Sequence, residues 1–492
     1  MTTGTEAGTG LEGPRCHAPF TSAYLDQRGF VRVCAMNGSA ALGNVATDSL
    51  WEIWHGERAK ELRRRFGAGG WGVGCNVCAW QAGSSPEQAF ARVYDDLPLP
   101  DDEPEWPIHL ELAMGNTCNL QCVMCSGEQS SAIRRNREHF PPIPAAYPDR
   151  FFDELTDVLP HLQRVKFLGG EPFLIPAHHR VFDLMIDGGL GTPIHVTTNA
   201  TIWTDRVERV LHHLPTSLAV SIDGIRPDTV AKIRVGADLT QILANLDRFQ
   251  DYTRERGTYL GLTYCLMTEN WQEFADFLAF ADARDLDVYV NTVTTPAALS
   301  LYRIPEPALI EIVTALEARD PWAQTHLDRN LHVWNDQLGR LRSRLGGDAG
   351  EPVWLRPSYV QFPELRVPNP PRVSADEDVR VMQEWAGDGP VALLELDTTD
   401  EVICNQPGEG RFLDLPTDVT GRTFGEVAMM LVSYYGRTSD WSLVTREPGL
   451  VDRVATHETQ DVVTKVRFRT RASPDGDAPG CRVVVAVRPP SS

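Results

Sequence analysis

Apolar and polar positions between about residues 108 and 320 follow a repeating order, in which a short apolar run precedes a segment of helical periodicity. In those segments apolar residues recur at i, i+3 and i+4, as in 151–159 and 239–249. Asn270 and Glu273 have the spacing of a capping box at the start of another helix. This alternation is typical of a parallel sheet covered by helices, and six units are fewer than a complete eight-stranded barrel has. The predicted strands are IHLEL (108–112), VKFL (165–168), IHVTT (194–198), LAVSI (218–222), YLGLTYC (259–265) and VYVNTV (288–293).

The segment before this unit has a different pattern. YLDQRGFVRVC alternates around Gly29 and predicts a hairpin, and Ser49 with Glu52 predicts a capped helix that ends near Gly67. The segment has too little apolar material for a core of its own. We therefore expect a disordered start over 1–15 and then a small separate module over 16–100 that a metal stabilises.

The pattern changes again after the helical unit. Six prolines fall between 352 and 371, which predicts a helical and Pro-rich linker over 321–385. From about residue 390 the chain is β-rich, with VALLELDTTDEVICN, a helix from Thr423 to Met430, VVTKVRFRTRA and CRVVVAVR. This order of elements resembles an α+β PAS domain over 390–490.

Composition and charge limit the partners. The 492 residues are 42% hydrophobic and 23% charged, which is ordinary globular composition. A formal charge of -21 argues against nucleic acid or an anionic membrane as a partner, because a negative field repels both. No apolar run has the length of a membrane span, and the start lacks the features of a signal peptide. We expect a cytoplasmic protein.

Seven of the ten cysteines form two clusters. In a reducing cytosol, clustered cysteines are better interpreted as metal ligands than as disulfides. Thiolates select zinc, copper(I) or iron-sulfur clusters, and both a structural zinc and a cubane normally take four protein ligands. A loop with three cysteines would therefore leave one iron of a cubane open. The first cluster is Cys16, Cys34, Cys75 and Cys78, and the second is Cys118, Cys122 and Cys125.

The CxxxCxxC spacing of the second cluster, placed after the first strand, resembles the radical S-adenosylmethionine (SAM) superfamily. The resemblance implies a partial (β/α)6 TIM-type barrel over 105–320 and a 4Fe-4S cluster whose open iron binds the methionine end of SAM. It further implies reductive cleavage of SAM to methionine and a 5'-deoxyadenosyl radical that takes hydrogen from a substrate.

Motifs at the following strand ends agree with this resemblance. Taken singly, each is a common turn sequence. Together they stand at the carboxyl ends of strands, where barrel enzymes place their chemistry. The resemblance implies that these segments contact SAM, and Met124 stands where the family usually has an aromatic residue near the adenine. The cofactor-binding candidates are Gly169, Gly170 and Glu171 in LGGEP, Asn199 in VTTNAT, Ser221 and Asp223 in SIDG, Arg234 in KIRVGAD, and Met124.

The first cysteine cluster resembles the SPASM and twitch modules. Cys16, Gly29 and Cys34 have the spacing of their hairpin, SLWEIW matches the segment that follows it, and Cys75 with Cys78 supplies a CxxC. The resemblance implies an auxiliary 4Fe-4S cluster fully ligated by four cysteines. A structural zinc held by the same cysteines stays open. In these families the module usually follows the barrel, whereas here it precedes it.

Isolated residues add one catalytic candidate. Cys265 lies near the end of the fifth strand and could return a hydrogen atom to a substrate radical, as in epimerases of the superfamily, although a lone cysteine is most often a buried core residue. The histidines at 161, 178, 179, 212 and 213 are expected at the surface.

These observations predict a radical SAM oxidoreductase-type enzyme with an auxiliary cluster for electron transfer. Its substrate would be a peptide that is crosslinked, oxidised or epimerised, or a small polar metabolite, and its reductant a flavodoxin or ferredoxin. The alternative is a non-catalytic sensor or binding protein with a PAS-like domain and a structural four-cysteine zinc site.

Overall fold

The structure is a computed structural model. It describes residues 16–37, 41–71, 89–137, 142–293 and 297–345, a few single positions including Cys75 and Cys78, part of 380–387, and five strands between 391 and 487. The predicted disordered start and the Pro-rich segment lie outside the described residues.

A nine-stranded sheet forms the core of residues 16–345. In spatial order its strands begin at residues 287, 260, 216, 194, 164, 109, 22, 30 and 43, which is the order β11-β10-β8-β7-β6-β4-β1-β2-β3 in the numbering below. The six strands predicted from apolar runs are all present in it and pair in parallel, each within two residues of its predicted bounds. Helices follow the strands, so the α/β architecture and the mostly parallel sheet are confirmed. In chain order the first elements are α1 Ala18–Thr21, β1 Ser22–Leu25, β2 Phe30–Arg32, β3 Gly43–Asn44, α2 Leu50–Trp54 and α3 Glu57–Gly67. Next come β4 His109–Leu112, β5 Gln121–Cys122, α4 Ser131–Asn136, α5 Asp149–Val158, β6 Arg164–Phe167, α6 Pro176–Asp187, β7 Ile194–Thr198, α7 Asp205–His213 and β8 Thr216–Ser221. They are followed by α8 Pro227–Ile233, β9 Arg234–Val235, α9 Leu239–Arg256, β10 Leu260–Leu266, α10 Phe274–Asp282, β11 Asp287–Thr292, α11 Glu306–His326 and α12 Leu331–Leu345.

The two faces of this sheet differ. The Phe167 ring packs on Phe182 of α6 at 4.2 Å between centroids, and the Tyr264 ring packs on Phe277 of α10 at 4.4 Å. These residues therefore point toward the helices. Because side chains alternate along a strand, the neighbours of Phe167 and Tyr264 point to the opposite face, which is the interior of the barrel.

The N-terminal hairpin is not a separate module. β1 and β2 pair antiparallel as predicted, but β1 also pairs in parallel with β4, with Ala23 opposite Leu110. The apolar residues of the hairpin belong to the same buried cluster as those of the barrel. The segment thus gains from the barrel the core that its own sequence could not supply. Its predicted capping box is present, because the Ser49 hydroxyl accepts from Glu52 N and the Glu52 carboxylate accepts from Ser49 N.

The second predicted capping box is wrong. A short 3₁₀ segment precedes α10, and Asn270 makes no side-chain cap bond there. Its amide instead donates to Asp223 O at 3.0 Å and to Cys265 O at 2.9 Å. Glu273 accepts from Ile225 N at 2.8 Å. Both residues fix the loop after β8, a tertiary role that local spacing does not reveal.

The segment assigned to the start of the linker is part of the folded domain. α11 continues through Pro321, and α12 packs beside it. Trp334 of α12 is buried and stacks on Phe274 at 5.7 Å. Asn330 Oδ1 accepts from Val288 N at 2.8 Å, which joins the start of α12 to β11. The domain therefore extends to about residue 345.

The C-terminal region is β-rich, as predicted. Five strands form an antiparallel sheet in the order β13-β15-β16-β12-β14, and β15 and β16 form a hairpin. The helix predicted from Thr423 lies outside the described residues, and the strands present do not support the more specific PAS-like assignment. These strands are β12 Val391–Leu396, β13 Arg411–Leu415, β14 Ser442–Leu443, β15 Thr464–Arg471 and β16 Gly480–Val487.

Candidate functional site

The second cysteine cluster lies on the loop that leaves β4, which is partly ordered by its own small sheet. β5 of this loop pairs antiparallel with β9, so that Cys122 stands opposite Arg234. An Arg234 guanidinium nitrogen lies 4.0 Å from the Cys122 sulfur. At the far end of the loop, Ser130 Oγ donates to Leu120 O at 2.7 Å. Cys118, Cys122 and Cys125 all remain partly exposed.

Gly169 and Gly170 bring the end of β6 against this loop. Gly170 N donates to Gly115 O at 3.2 Å, and Glu171 N donates to Thr117 O at 2.8 Å. A Cβ added at Gly170 would lie 2.4 Å from Thr117 O, and one at Gly169, where φ is +98°, would lie 2.8 Å from Gly115 O. Only glycine permits this close approach of two backbone segments.

Glu171 is buried and turns its carboxylate into the protein. The carboxylate accepts from Thr198 Oγ1 at 2.9 Å, Asn199 N at 2.8 Å and Phe173 N at 3.2 Å. Burial raises its pKa to about 7, although these hydrogen bonds oppose the shift. The side chain therefore joins the ends of β6 and β7 and is not available to a ligand in this conformation.

Asn199 supports the cysteine loop from the end of β7. Its amide nitrogen lies 4.0 Å from the Cys118 sulfur and 3.1 Å from Asn119 Oδ1. Its side-chain Oδ1 accepts from Thr201 N at 2.9 Å. Hydrogen bonds to a cluster sulfur tune the potential of iron-sulfur centres, so this position suits a residue beside a cluster.

Ser221, Asp223 and Arg234 lie close to this site, two of them as an ion pair. Arg234 and Asp223 are both buried, with a nitrogen-oxygen distance of 2.7 Å. Asp223 Oδ1 also accepts from Cys265 N at 2.7 Å. Ser221 Oγ accepts from Thr263 Oγ1 at 2.8 Å on the interior face of the sheet.

Met124 and Cys265 meet in a small apolar cluster beside the cysteine loop. Both are partly buried and pack against Ile233, Met267 and Val293. Because Tyr264 points toward the helices, Cys265 points toward the interior of the barrel. Burial raises its pKa well above that of a free thiol, so Cys265 is protonated at neutral pH.

The environment of the three loop thiols favours metal-bound thiolates but not free ones. Burial raises the pKa of Cys118 and Cys122, and that of Cys125 to about 12. Arg234 and Arg137 oppose the shift of the Cys122 pKa, and Arg137 opposes that of Cys125, because their positive charges stabilise the thiolate form. A bound metal deprotonates its thiol ligands, and the two cations then compensate the added negative charge.

The four cysteines of the first cluster are all buried and come together across 60 residues of sequence. The charges of Cys78 and Cys75 act on Cys16, and those of Cys75 and Cys16 act on Cys34. Burial raises the pKa of Cys16 to about 12. Asn37 Nδ2 donates to the Cys75 sulfur at 3.5 Å. This four-thiol set suits a fully ligated metal centre.

Sequence reasoning missed a row of polar side chains on the interior face. Glu111, Lys166 and His195 stand opposite one another on β4, β6 and β7. Tyr94 Oη donates to Glu111 Oε1 at 2.6 Å, and His109 Nε2 lies 3.4 Å from the same oxygen. Burial raises the pKa of Glu111, but the hydrogen bond and charge of His109 outweigh it, so Glu111 is ionised. Burial and the nearby Lys166 lower the pKa of His195 to about 4. Polar residues at every second position of otherwise apolar strands were the signal for this row.

His178 is a correction to the expected surface histidines. It is fully buried, and its Nε2 accepts from Met114 N at 3.2 Å. Burial lowers its pKa to about 3, so it is neutral. His161, His212 and His213 are exposed, as expected, and His179 is half-buried.

The residues around the loop fit a cluster that binds SAM. The Nε of Arg234 is buried and makes no hydrogen bond within the described part of the chain, so a donor remains for an anion such as the methionine carboxylate. The glycines of LGGEP keep the backbone beside the cysteines free of side chains. In the described ranges, no three His, Cys, Asp or Glu side chains are grouped as ligands of a single metal ion. No described helix is long and apolar enough to cross a membrane.

Comparisons with known proteins agree with this site. Residues 112–281 match the radical SAM superfamily, and residues 16–79 match SPASM, an iron-sulfur cluster-binding domain. Among curated proteins, the chain is 26% identical to GTP 3',8-cyclase of Listeria welshimeri serovar 6b over 211 residues, which are 40% of this chain and 54% of that protein. It is 21% identical to GTP 3',8-cyclase of Clostridium botulinum strain Okra over 140 residues, 28% of this chain and 42% of that protein. The chain thus spans about half the length of these relatives or less.

Two solved structures are similar at lower identity. Streptococcus suis SuiB bound to S-adenosylmethionine matches with a TM-score of 0.32 and 13% identity, over 50% of this chain and 59% of that chain. Native anSMEcpe with bound AdoMet matches with a TM-score of 0.29 and 14% identity, over 38% and 51%. The two family matches span both cysteine clusters and support 4Fe-4S clusters and SAM as cofactors. The chain therefore carries a radical SAM domain over residues 112–281, with a SPASM iron-sulfur domain ahead of it over residues 16–79.

Proposed function

We propose that the enzyme binds SAM at a 4Fe-4S cluster held by Cys118, Cys122 and Cys125, and oxidises, crosslinks or epimerises a peptide or a small polar substrate in the barrel interior. When bound, the cluster and SAM supply a 5'-deoxyadenosyl radical that abstracts hydrogen from the substrate. The four cysteines of the SPASM domain hold an auxiliary 4Fe-4S cluster that exchanges an electron with the substrate.

The residues around the loop have separate roles in this proposal. Arg234 offers its free Nε to the methionine carboxylate, and Asp223 holds the guanidinium in place. Gly169 and Gly170 let the backbone of LGGEP approach the methionine amino group, while Glu171 keeps that backbone in position. Met124, Asn199 and Ser221 line the remaining sides of the cofactor site.

The observation that carries the proposal is the position of Glu111 between the auxiliary thiols and the barrel interior. Apart from burial, the charge of Glu111 is the largest influence that raises the pKa of the Cys34 thiol. Glu111 also stands beside Lys166 on the interior face. Glu111 is therefore near both the auxiliary thiols and the interior face, which supports an electron path between them.

The interior face favours a polar substrate. Lys166 is half-buried there and makes no hydrogen bond or ion pair with another described residue, so its ammonium group can receive an anionic group. A peptide with a carboxylate and a small phosphorylated or carboxylated metabolite both have such a group. Because the curated relatives are named GTP 3',8-cyclases, GTP belongs among the small molecules to be tested.

Cys265 is the proposed hydrogen donor if the reaction is an epimerisation. Its thiol is protonated and faces the interior beside the cysteine loop. A thiol in this position can give a hydrogen atom to the substrate radical from the face opposite to the one that lost it. The thiyl radical left on Cys265 would then become a thiol again by taking an electron from the auxiliary cluster and a proton from solvent.

The test is an anaerobic reaction with a chemical reductant, flavodoxin or ferredoxin, and deuterated candidate substrates. We expect 5'-deoxyadenosine from the reconstituted enzyme, and deuterium in it when the correct substrate is present. Cys118→Ala should abolish cleavage of SAM, whereas Cys75→Ala should leave some unproductive cleavage but give no product. Equal cleavage by both variants and the parent would contradict the division of roles between the two cysteine clusters.

The zinc alternative for the first cluster is tested by its metal content. We expect iron and sulfide, in addition to those of the loop cluster, in the reconstituted chain. Stoichiometric zinc without this additional iron would assign a structural role to Cys16, Cys34, Cys75 and Cys78.

A further inference from the structure

The turn between β1 and β2 is hydrogen-bonded to the loop that carries the second cysteine cluster. Arg28 Nε donates to Glu128 Oε1 at 2.9 Å, and a terminal guanidinium nitrogen donates to Glu128 Oε2 at 3.1 Å. Gln27 Nε2 donates to Glu128 O at 2.9 Å. The Arg28 side chain is 4% exposed and that of Glu128 is 19% exposed. This contact joins residues 100 positions apart through a bidentate, largely buried ion pair.

The turn is rigid on its own side. Asp26 Oδ1 accepts from Arg28 N at 2.9 Å and from Phe30 N at 3.0 Å. Asp26 also pairs with buried Arg32, and its carbonyl oxygen accepts from Tyr147 Oη. A turn fixed at so many points can hold Glu128 in one position.

Glu128 stands at the exit of the cysteine loop. It follows Cys125 by three residues, and the carbonyl of its neighbour Gly127 accepts from Asn116 Nδ2 at 2.8 Å. The contact at Glu128 therefore closes the loop at its C-terminal end, next to a proposed ligand. At the opposite end of the hairpin, Cys34 follows Arg32 by two residues. One hairpin thus connects the two cysteine clusters.

We propose that Arg28 is a positioning residue for the SAM site, and that the SPASM hairpin shapes the cysteine loop through the Arg28 and Glu128 pair. Placing the SPASM domain ahead of the barrel makes this possible, because β1 then pairs directly with β4. The hairpin has a second role in addition to carrying a ligand of the auxiliary site. This inference rests on the SAM site of the proposed function and deepens it, but it does not depend on the substrate.

The test compares Arg28→Met with Arg63→Met. Arg63 is an equally buried arginine of the same domain, which pairs with Glu103 and stacks on Trp54 at 4.2 Å, but it does not touch the cysteine loop. In the metal-free protein, hydrogen exchange at the amides of Gln129 and Ser130 should become faster in Arg28→Met. These amides donate to Ser126 O and report the shape of the loop exit.

The second measurement is the affinity of the reconstituted enzyme for SAM by anaerobic equilibrium dialysis. Loss of a partner that hydrogen-bonds a metal ligand typically costs about 10- to 100-fold in metal affinity or activity. Because Glu128 contacts the loop and not a ligand, we expect the lower end, about 10-fold weaker SAM binding, in Arg28→Met. Arg63→Met should bind as the parent does. The double variant Arg28→Met with Glu128→Met should be no weaker than Arg28→Met alone, because the two residues act through one contact.

Unchanged exchange and unchanged affinity in Arg28→Met would overturn the proposal, and so would equal losses in Arg28→Met and Arg63→Met. If Arg28→Met does not fold, Arg28→Lys and Glu128→Gln serve under the same criteria, because each keeps part of the contact. Both readouts are independent of the substrate, so a failure here is distinguishable from a failure of the proposed function.

Discussion

The ion pair of Arg234 and Asp223 gives the sharpest test of how the site is built. Arg234→Met keeps the length and apolar stem of the side chain but removes the cation 2.7 Å from a carboxylate that is completely buried. Asp223 Oδ1 keeps the hydrogen bond from Cys265 N, whereas Oδ2 loses its charged neighbour. The variant therefore leaves one buried carboxylate oxygen without compensation.

The magnitude follows from this geometry. Removing one partner of a buried ion pair costs about 3 to 5 kcal/mol of unfolding free energy. We expect the lower end, about 3 kcal/mol, because Oδ1 stays satisfied. Adding Asp223→Asn removes the unpaired charge and keeps an acceptor for Cys265 N, so the double variant should lose only about 1 to 2 kcal/mol. The coupling between the two sites is then at least about 1 to 2 kcal/mol, and it is larger by whatever Asp223→Asn costs on its own.

The assay is urea unfolding of the metal-free protein, followed by tryptophan fluorescence, for the parent, both single variants and the double variant. Arg319→Met is the matched control, since its pair with Asp276 lies at the surface and should contribute less than about 1 kcal/mol. A cost below that of the control, or strict additivity of the two substitutions, would refute the view that Arg234 and Asp223 form one buried unit beside Cys122.

Three further predictions concern other parts of the site. Gly170→Ala should destabilise the protein by about 1 to 3 kcal/mol and weaken SAM binding in dialysis. The reason is that the added Cβ would lie 2.4 Å from a carbonyl oxygen of the cysteine loop. A SAM affinity equal to that of the parent would contradict the close approach. The pKa of His178, about 3 in the folded protein, lies below the usual value of about 6.5, so its contribution to stability is complete above pH 6.5 and is lost as the pH falls. Between pH 7 and pH 5, the free energy of unfolding in urea should therefore fall by about 2 kcal/mol less for His178→Gln than for the parent. Parallel pH profiles of the two proteins would show that His178 is not buried in neutral form. If the reaction is an epimerisation, Cys265→Ser should cleave SAM as the parent does, but its product should contain no hydrogen from the solvent. The measurement is mass spectrometry of the product formed in D₂O. Solvent deuterium in the product of this variant would exclude Cys265 as the donor.

The strands and most helices were predictable because they depend on local alternation. LAVSI and YLGLTYC carry the period of a strand in their own residues, and β8 and β10 lie where these runs predict. Asn270 and Glu273 show where such reasoning stops. Their spacing is that of a capping box, but their side chains bond to the loop after the neighbouring strand β8. Tertiary hydrogen bonds of this kind leave no local signature.

The chemistry of the site was predictable where one short motif contains it, as at Cys118, Cys122 and Cys125. The direction in which a side chain points was not predictable from such a motif. LGGEP marks the correct segment, but the Glu171 carboxylate turns inward to Thr198 and β7. The position of the SPASM hairpin ahead of the barrel was predictable, but its pairing with the barrel sheet was not, because β1 and β4 are far apart in sequence.

We propose that three loop cysteines hold an open cluster that cleaves SAM, while the SPASM cysteines hold a second cluster. The most direct measurement is iron, sulfide and 5'-deoxyadenosine from anaerobically reconstituted parent and from the variant with Ala at 118, 122 and 125. Two 4Fe-4S clusters predict about eight irons and eight sulfides per chain for the parent and about four of each for the variant, which should make no 5'-deoxyadenosine. A parent without sulfide, or a variant that still cleaves SAM, would contradict the account.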